Sequence, residues 1–159
     1  MCGPNFPRPT PHAVKLVFLL NVLSTLVMVG VIWTVQVVHY PLFAGVGGAG
    51  WAAYEAEHQS RITLVVGPAM LVELATAVWL VLDRPAALPA WAVVLGAALV
   101  GVIWASTAFV QVPLHAALGG AFDPAAHARL VATNWVRTVA WTLRGGLVLW
   151  LAARLLPDL

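Results

Sequence analysis

Four apolar stretches separated by short polar breaks dictate what this chain can become. They run from about Val14 to Val38, about Ile62 to Leu82, about Trp91 to Val112 and about Val136 to Leu156. Each is close to the ~20 residues that a helix needs to cross a hydrocarbon core of ~30 Å. Lipid offers no partner to a backbone amide or carbonyl, so a crossing segment must satisfy its own hydrogen bonds, as an α-helix does. The period-two alternation of a barrel strand is absent. Charged residues are 9% of the 159, against about a quarter in a soluble domain, too few to cover a water-facing surface. The expected fold is therefore all-α, an integral membrane four-helix bundle built from two helical hairpins. It forms a single domain over residues 14–159, preceded by a disordered proline-rich segment, 1–13, that holds Cys2, Pro4, Pro7, Pro9, Pro11 and His12.

Net charge is +2 with no basic run, which excludes a nucleic-acid surface. The lone cysteine, Cys2, has no internal partner. The first apolar run is longer than the about 7–15 residues of a signal peptide's apolar core, so it is expected to remain as a span.

The breaks differ in kind. Asp83-Arg84-Pro85 through Pro89 is a tight link. Phe43–Gly50 and Gly119–Asp123 are glycine-rich, and Asp123-Pro124 reads as an N-cap followed by the first helical residue. The second and fourth helices are thus expected to start before the membrane, with His58 and His127 in their opening turns. Arg8, Lys15, Arg84 and Arg154 fall at one end of the bundle, and Arg61 and Arg129 at the other. The basic bias predicts cytoplasmic termini and a multi-pass protein of a bacterial inner (plasma) membrane. With four crossings, His39, His58, His115 and His127 emerge together on the outer side.

The two hairpins carry a weak internal pseudo-repeat. Trp33, Gln36, His39, Pro41, His58 and Arg61 in the first are echoed by Trp104, Gln111, Pro113, His115, His127 and Arg129 in the second. The spacings do not superpose: Gln36 precedes His39 by three residues, Gln111 precedes His115 by four. A repeat interface is a common place for a membrane protein's site.

Polar side chains in a lipid-solvated helix face inward. Asn21, Thr25, Gln36 and His39 share one sector of the first helix, and Thr107, Gln111 and His115 repeat at four-residue steps on the third. Glu73 and Arg144 lie at comparable depth in helices two and four, and an unpaired carboxylate there would be costly. They are expected to form an intramembrane ion pair, with Arg137 nearer an upper cavity. Gln36 and Gln111, one turn deeper than His39 and His115, are expected to orient those rings. Trp51, Trp91 and Trp135 are placed for an interface belt, and Trp33, Trp104 and Trp141 for the cavity. Gly67-Pro68 is a kink position, and Ala97 with Gly101 a small-xxx-small pair.

Imidazole is the commonest metal ligand and also moves protons near neutral pH. His39, His58, His115 and His127 are accordingly the candidate catalytic residues. They are also the candidate ligands of a transition metal or of haem, with Glu55 three residues before His58 as an added carboxylate. Interfacial hydrogen bonding is the alternative role. Gln36, Gln111, Asn134 and Arg137 are the candidate substrate-binding residues.

The stretches Gln36-Val-Val-His39-Tyr-Pro-Leu-Phe43, His58-Gln-Ser-Arg61-Ile and Asn134-Trp-Val-Arg137-Thr resemble an uncharacterised family of small four-span bacterial integral membrane proteins. The resemblance covers nearly the whole chain and implies the four-helix membrane fold. In size and span count the chain also bears a distant likeness to anthrone-oxygenase-like small membrane proteins, which transfers no site residue. The functional expectation is a small membrane protein with a His/Gln/Arg-lined polar pocket at its outer face, a metal- or haem-dependent oxidoreductase acting on a lipophilic small molecule. The alternatives are a lipid-binding or accessory subunit of a larger membrane complex, and a small transporter working as a homo-oligomer.

Overall fold

A computed structural model describes residues 10–46 and 48–155. All its regular structure is helical, arranged as four long rods that run up and down. The first is α1 (Pro11–Thr34), which continues through a π-helical turn (Val35–His39), one α-helical turn (Tyr40–Leu42) and a 3₁₀ turn (Phe43–Gly45). The second, α2, spans Trp51–Leu82. The third, α3 (Ala90–Ser106), continues through a second π-helical turn (Thr107–Gln111) into Val112–Leu118. The fourth, α4, spans Pro124–Leu155. Each rod packs against its two neighbours round a square, α1 on α2 and α4, α3 on α2 and α4.

Local chemistry sets the ends. Thr10 Oγ1 accepts the Ala13 N–H at 3.3 Å, and Pro11 opens α1, three residues before the expected start. His12 is thereby an exposed residue of a helical first turn, while residues 1–9, with Cys2 and three of the N-terminal prolines, lie outside the described residues. Asp123 Oδ1 accepts the Ala125 N–H at 2.8 Å and Pro124 is the first residue of α4, as the Asp-Pro pair predicts.

The bundle is apolar on the outside. Leu64, Phe109 and Leu82 are three-quarters or more exposed, while Glu73, Asn134 and Arg144 are buried. That inversion is the arrangement a hydrocarbon solvent selects. Three helical stretches are long and apolar enough to cross a membrane: His12–Gly45, Trp51–Leu82 and Ala90–Leu118. The fourth rod is as long as α2 but falls short in hydropathy, because it carries Asn134, Arg137 and Arg144 on its inner face.

The two π-helical turns have one cause. Tyr40 N–H donates to Val35 C=O and Val112 N–H donates to Thr107 C=O, each five residues back. Each donor immediately precedes a proline, Pro41 or Pro113. Proline lacks an N–H and its ring clashes with the carbonyl four residues earlier; widening the turn by one residue gives the ring room. Aligned on the prolines, His39 corresponds to Gln111, and Phe43 to His115. The halves therefore share a backbone irregularity, not a histidine position.

Deeper in the bundle, Arg144 Nε donates to Glu73 Oε1 at 2.8 Å. Thr25 Oγ1 donates to the same oxygen at 2.7 Å and Trp141 Nε1 to Oε2 at 3.0 Å. Arg144 also reaches Gly96 C=O at 2.6 Å and Asn21 Oδ1 at 3.2 Å. All four rods contribute to this network and both carboxylate oxygens are satisfied, which fits a lock between helices. Gly96 is where backbone and guanidinium meet: a Cβ there would sit 2.9 Å from Arg144 Nη1. Gly101, of the expected small-xxx-small pair, faces open space.

Candidate functional site

At the opposite end of the bundle the polar residues of all four rods gather around the two π-helical turns. Phe43, fully buried, packs edge-on against His39, His58 and Trp51 at centroid separations of 5.2, 5.0 and 5.5 Å. His39 Nε2 and His58 Nδ1 are 2.9 Å apart, so one carries the shared proton and the other accepts it. The His58 and His115 rings follow at 5.4 Å.

A second chain of contacts runs from α2 inward. Glu55, fully buried, accepts from His115 Nδ1 at 2.6 Å and from Gln59 Nε2 at 3.1 Å through Oε1. Holding the proton on Nδ1 leaves the Nε2 lone pair free, and Tyr40 Oη donates to it at 2.9 Å. Arg137 Nη2 lies 3.4 Å from the same Tyr40 oxygen. Glu55 Oε2 and His58 Nε2 are buried without a hydrogen-bond partner.

Tyr40, His115, Gln111, Thr107, Arg137 and Trp141 form the polar wall of a cavity of about 120 Å³, closed otherwise by Met28, Ile32, Val66 and Met70 among others. A cavity of about 150 Å³ holds a benzene ring, so this one is on the scale of a single ring. Beside it, a larger open groove lies between α1 and α2, lined by Val27, Gly30, Thr34 and Val65. Val31, Val35 and Ile62 line both spaces.

The expected site residues are redistributed. His39, His58 and His115 come together. His127 does not join them: its Nε2 donates to the Tyr40 carbonyl at 2.7 Å and its ring lies 6.2 Å from Phe43. Among the described residues no group of three His, Cys, Asp or Glu is arranged to hold a metal ion, so the expected four-histidine metal set is not assembled. Nor does the His39–His58 pair suit axial haem ligation, since nitrogens ~2 Å from a shared iron would stand roughly 4 Å apart. Gln36 and Gln111 do not orient histidines. Gln36 accepts from Asn134 Nδ2 at 2.8 Å and donates to Val131 C=O at 3.2 Å. Gln111 Nε2 donates to Thr133 at 2.9 Å, leaving Oε1 unpartnered. Of the four expected substrate-binding residues, Gln111 and Arg137 line the cavity; Gln36 and Asn134 are occupied with each other beneath it.

Tyr40 and the Glu55–His115 pairing were not among the expected contacts. Tyr40 lies four residues after Gln36, a same-face spacing that could have marked it. Glu55 reads in sequence as a partner of His58, but its oxygen goes across to the third rod. Two tryptophans also exchange places with expectation. Trp51 is buried, donating to Leu118 C=O at 2.6 Å. Trp33 faces outward, donating to Thr142 and stacking edge-on with Trp135.

Comparisons with protein-family models, with curated proteins and with solved structures give no match to this chain.

Proposed function

We propose that this protein is an integral membrane enzyme that binds a lipophilic, oxygen-bearing ring inside the bundle and moves a proton between that ring and the Tyr40–His115–Glu55 chain. The observation that carries this reading is the chain itself, a carboxylate, an imidazole and a phenol linked at 2.6 and 2.9 Å and ending at a ring-sized cavity. A proton leaves the substrate for the Tyr40 oxygen as the phenol's own proton passes to His115 Nε2. The imidazolium so formed is stabilised by the Glu55 carboxylate, and the return transfer resets the site. Orienting and stabilising an imidazole with a buried carboxylate is a general solution in acid–base catalysis. Oxidation of a quinol-like ring begins with the same proton removal, so the oxidoreductase expectation shares this first step.

In this reading all four rods cross the membrane, because α4 carries its polar residues on the inner face and Val136, Val139, Leu143 and Leu149 on the outer one. The termini are cytoplasmic in a bacterial inner membrane, with Lys15, Arg84 and Arg154 at their end of the bundle. Membrane lipid is the constant neighbour, and the groove between α1 and α2 gives a lipophilic molecule a lateral approach.

The test is hydrogen exchange in D₂O. The purified protein in nanodiscs is incubated with 4-alkylcyclohexanones, and deuterium uptake beside the carbonyl is followed by mass spectrometry. Acceleration over protein-free nanodiscs is expected, falling by a factor of about 10²–10⁴ in Tyr40→Phe and Glu55→Gln. No acceleration, or acceleration that survives Tyr40→Phe, counts against the proposal.

A further inference from the structure

Arg137 and Arg144 stand two helical turns apart on the inner face of α4, and they are not equivalent. Arg144 has its carboxylate, Glu73, at 2.8 Å. Arg137 is 8% exposed, yet among the described residues no Asp or Glu lies within ion-pair distance of it. Its partners are all neutral. Nε and Nη2 donate to Asn134 Oδ1 at 2.9 and 2.6 Å. Nη1 reaches Thr107 Oγ1 at 3.3 Å and Nη2 reaches Tyr40 Oη at 3.4 Å. The edge bearing Nε is thus firmly held, and the Nη1/Nη2 edge carries only the two long contacts.

A guanidinium does not lose its proton in a protein, so burial cannot neutralise it; a buried charge calls for an opposite one. The described residues supply none within ion-pair distance. Glu55, the carboxylate of the neighbouring chain of contacts, is engaged with His115 and Gln59 and reaches Arg137 only through His115 and Tyr40. The surface of Arg137 that lacks strong partners belongs to a residue lining the 120 Å³ cavity. A planar fork of N–H groups is the geometry that takes the paired oxygens of a carboxylate.

We infer that Arg137 is the counter-ion for the bound molecule, and that the site takes a weak organic acid as its anion: a carboxylate on an apolar body of about one ring, whose ring proton is left for Tyr40. This rests on the cavity being the substrate site, and it specifies the charge of what sits there. Asn134, itself held by Gln36, is the positioning residue that keeps the guanidinium fork turned to the cavity.

The experiment measures binding of 4-propylbenzoate and of its uncharged isostere 4-propylbenzamide by isothermal titration calorimetry. It uses the full chain in phosphatidylcholine nanodiscs, as wild type, Arg137→Gln and Arg137→Lys. The wild type is expected to bind the benzoate at least tenfold more tightly than the benzamide. Arg137→Gln is expected to bring the ratio to near one, and Arg137→Lys to keep part of it. Equal affinities in the wild type overturn the anion assignment while leaving the cavity as a binding site. Binding of neither probe overturns the assignment and the cavity reading together. A benzoate preference that survives Arg137→Gln shows that another group holds the anion. Should Arg137→Gln fail to fold, the wild-type pair and Arg137→Lys decide the matter, since undiminished preference in the lysine variant removes the role of the fork.

Discussion

Arg144 Nε lies 2.8 Å from Glu73 Oε1 and joins the fourth rod to the second, with Thr25 and Trp141 completing the carboxylate's bonds from the first rod and from the fourth. Removing one member strands the other. Glu73→Gln is expected to cost about 3–5 kcal/mol, the range for breaking a buried pair by one partner. Replacing both members by apolar residues of similar volume should cost far less. Thermal unfolding in detergent, followed by circular dichroism, separates the two cases.

Glycine at position 96 is required by that pair. Gly96→Ala places a methyl 2.9 Å from an Arg144 nitrogen that is bonded to the Gly96 carbonyl itself, so the guanidinium cannot step aside without losing a bond. A loss of about 1–3 kcal/mol is expected from overpacking. Gly101→Ala, with nothing within 4 Å of the added carbon, is the neutral comparison in the same unfolding assay.

Pro41 holds open the turn that places Tyr40. In Pro41→Ala the π turn can close to an α turn, which rotates Tyr40 and fully buried Phe43 away from their partners. The variant is expected to unfold at a lower temperature and to bind 4-propylbenzoate at least tenfold more weakly. Calorimetry and thermal unfolding on one preparation check both; unchanged binding shows that the proline does not place Tyr40.

His127 supports the Tyr40 backbone from α4. His127→Phe removes the donor to the Tyr40 carbonyl, a loss of about 1 kcal/mol for one hydrogen bond. Because His127 does not face the cavity, the ratio of benzoate to benzamide affinity is expected to stay as in the wild type.

The sequence makes the helical bundle legible because lipid leaves so few alternatives: apolar runs of sufficient length mark four rods, and Asp83-Arg84-Pro85 and Asp123-Pro124 mark the end of the second and the start of the fourth, while the first and third run on to Gly45 and Leu118, beyond the expected Val38 and Val112. Buried charges are legible for the same reason, since Glu73 and Arg144 at matched depth have little choice but each other. What escapes is whatever depends on the π turns. Projected at a uniform 100° per residue, Gln36 and His39 look like one stripe, and Gln111 appears to back His115. One additional residue in the turn rotates everything beyond it, so Gln36 turns to Asn134 while His39 meets His58. Pairing across rods is also invisible along a chain: Glu55 sits one turn from His58 but bonds to His115, sixty positions away. The fourth histidine of the expected set stands apart because a residue in a helix's opening turn can serve a neighbouring backbone as readily as a ligand, and half-buried His127 does so.

The paired π turns also bear on how this chain tolerates changes in length. Such a turn holds one residue more than its α-helical counterpart. Deleting a single residue within Val35–His39 or Thr107–Gln111 can therefore be absorbed as ordinary helix, with both flanks keeping their facing. The same deletion in mid-α2 would spin half the rod by roughly 100° and carry polar groups into lipid. The two irregular segments are thus the places where these rods can shorten without coming apart, each just beneath the aromatic and imidazole cap it positions.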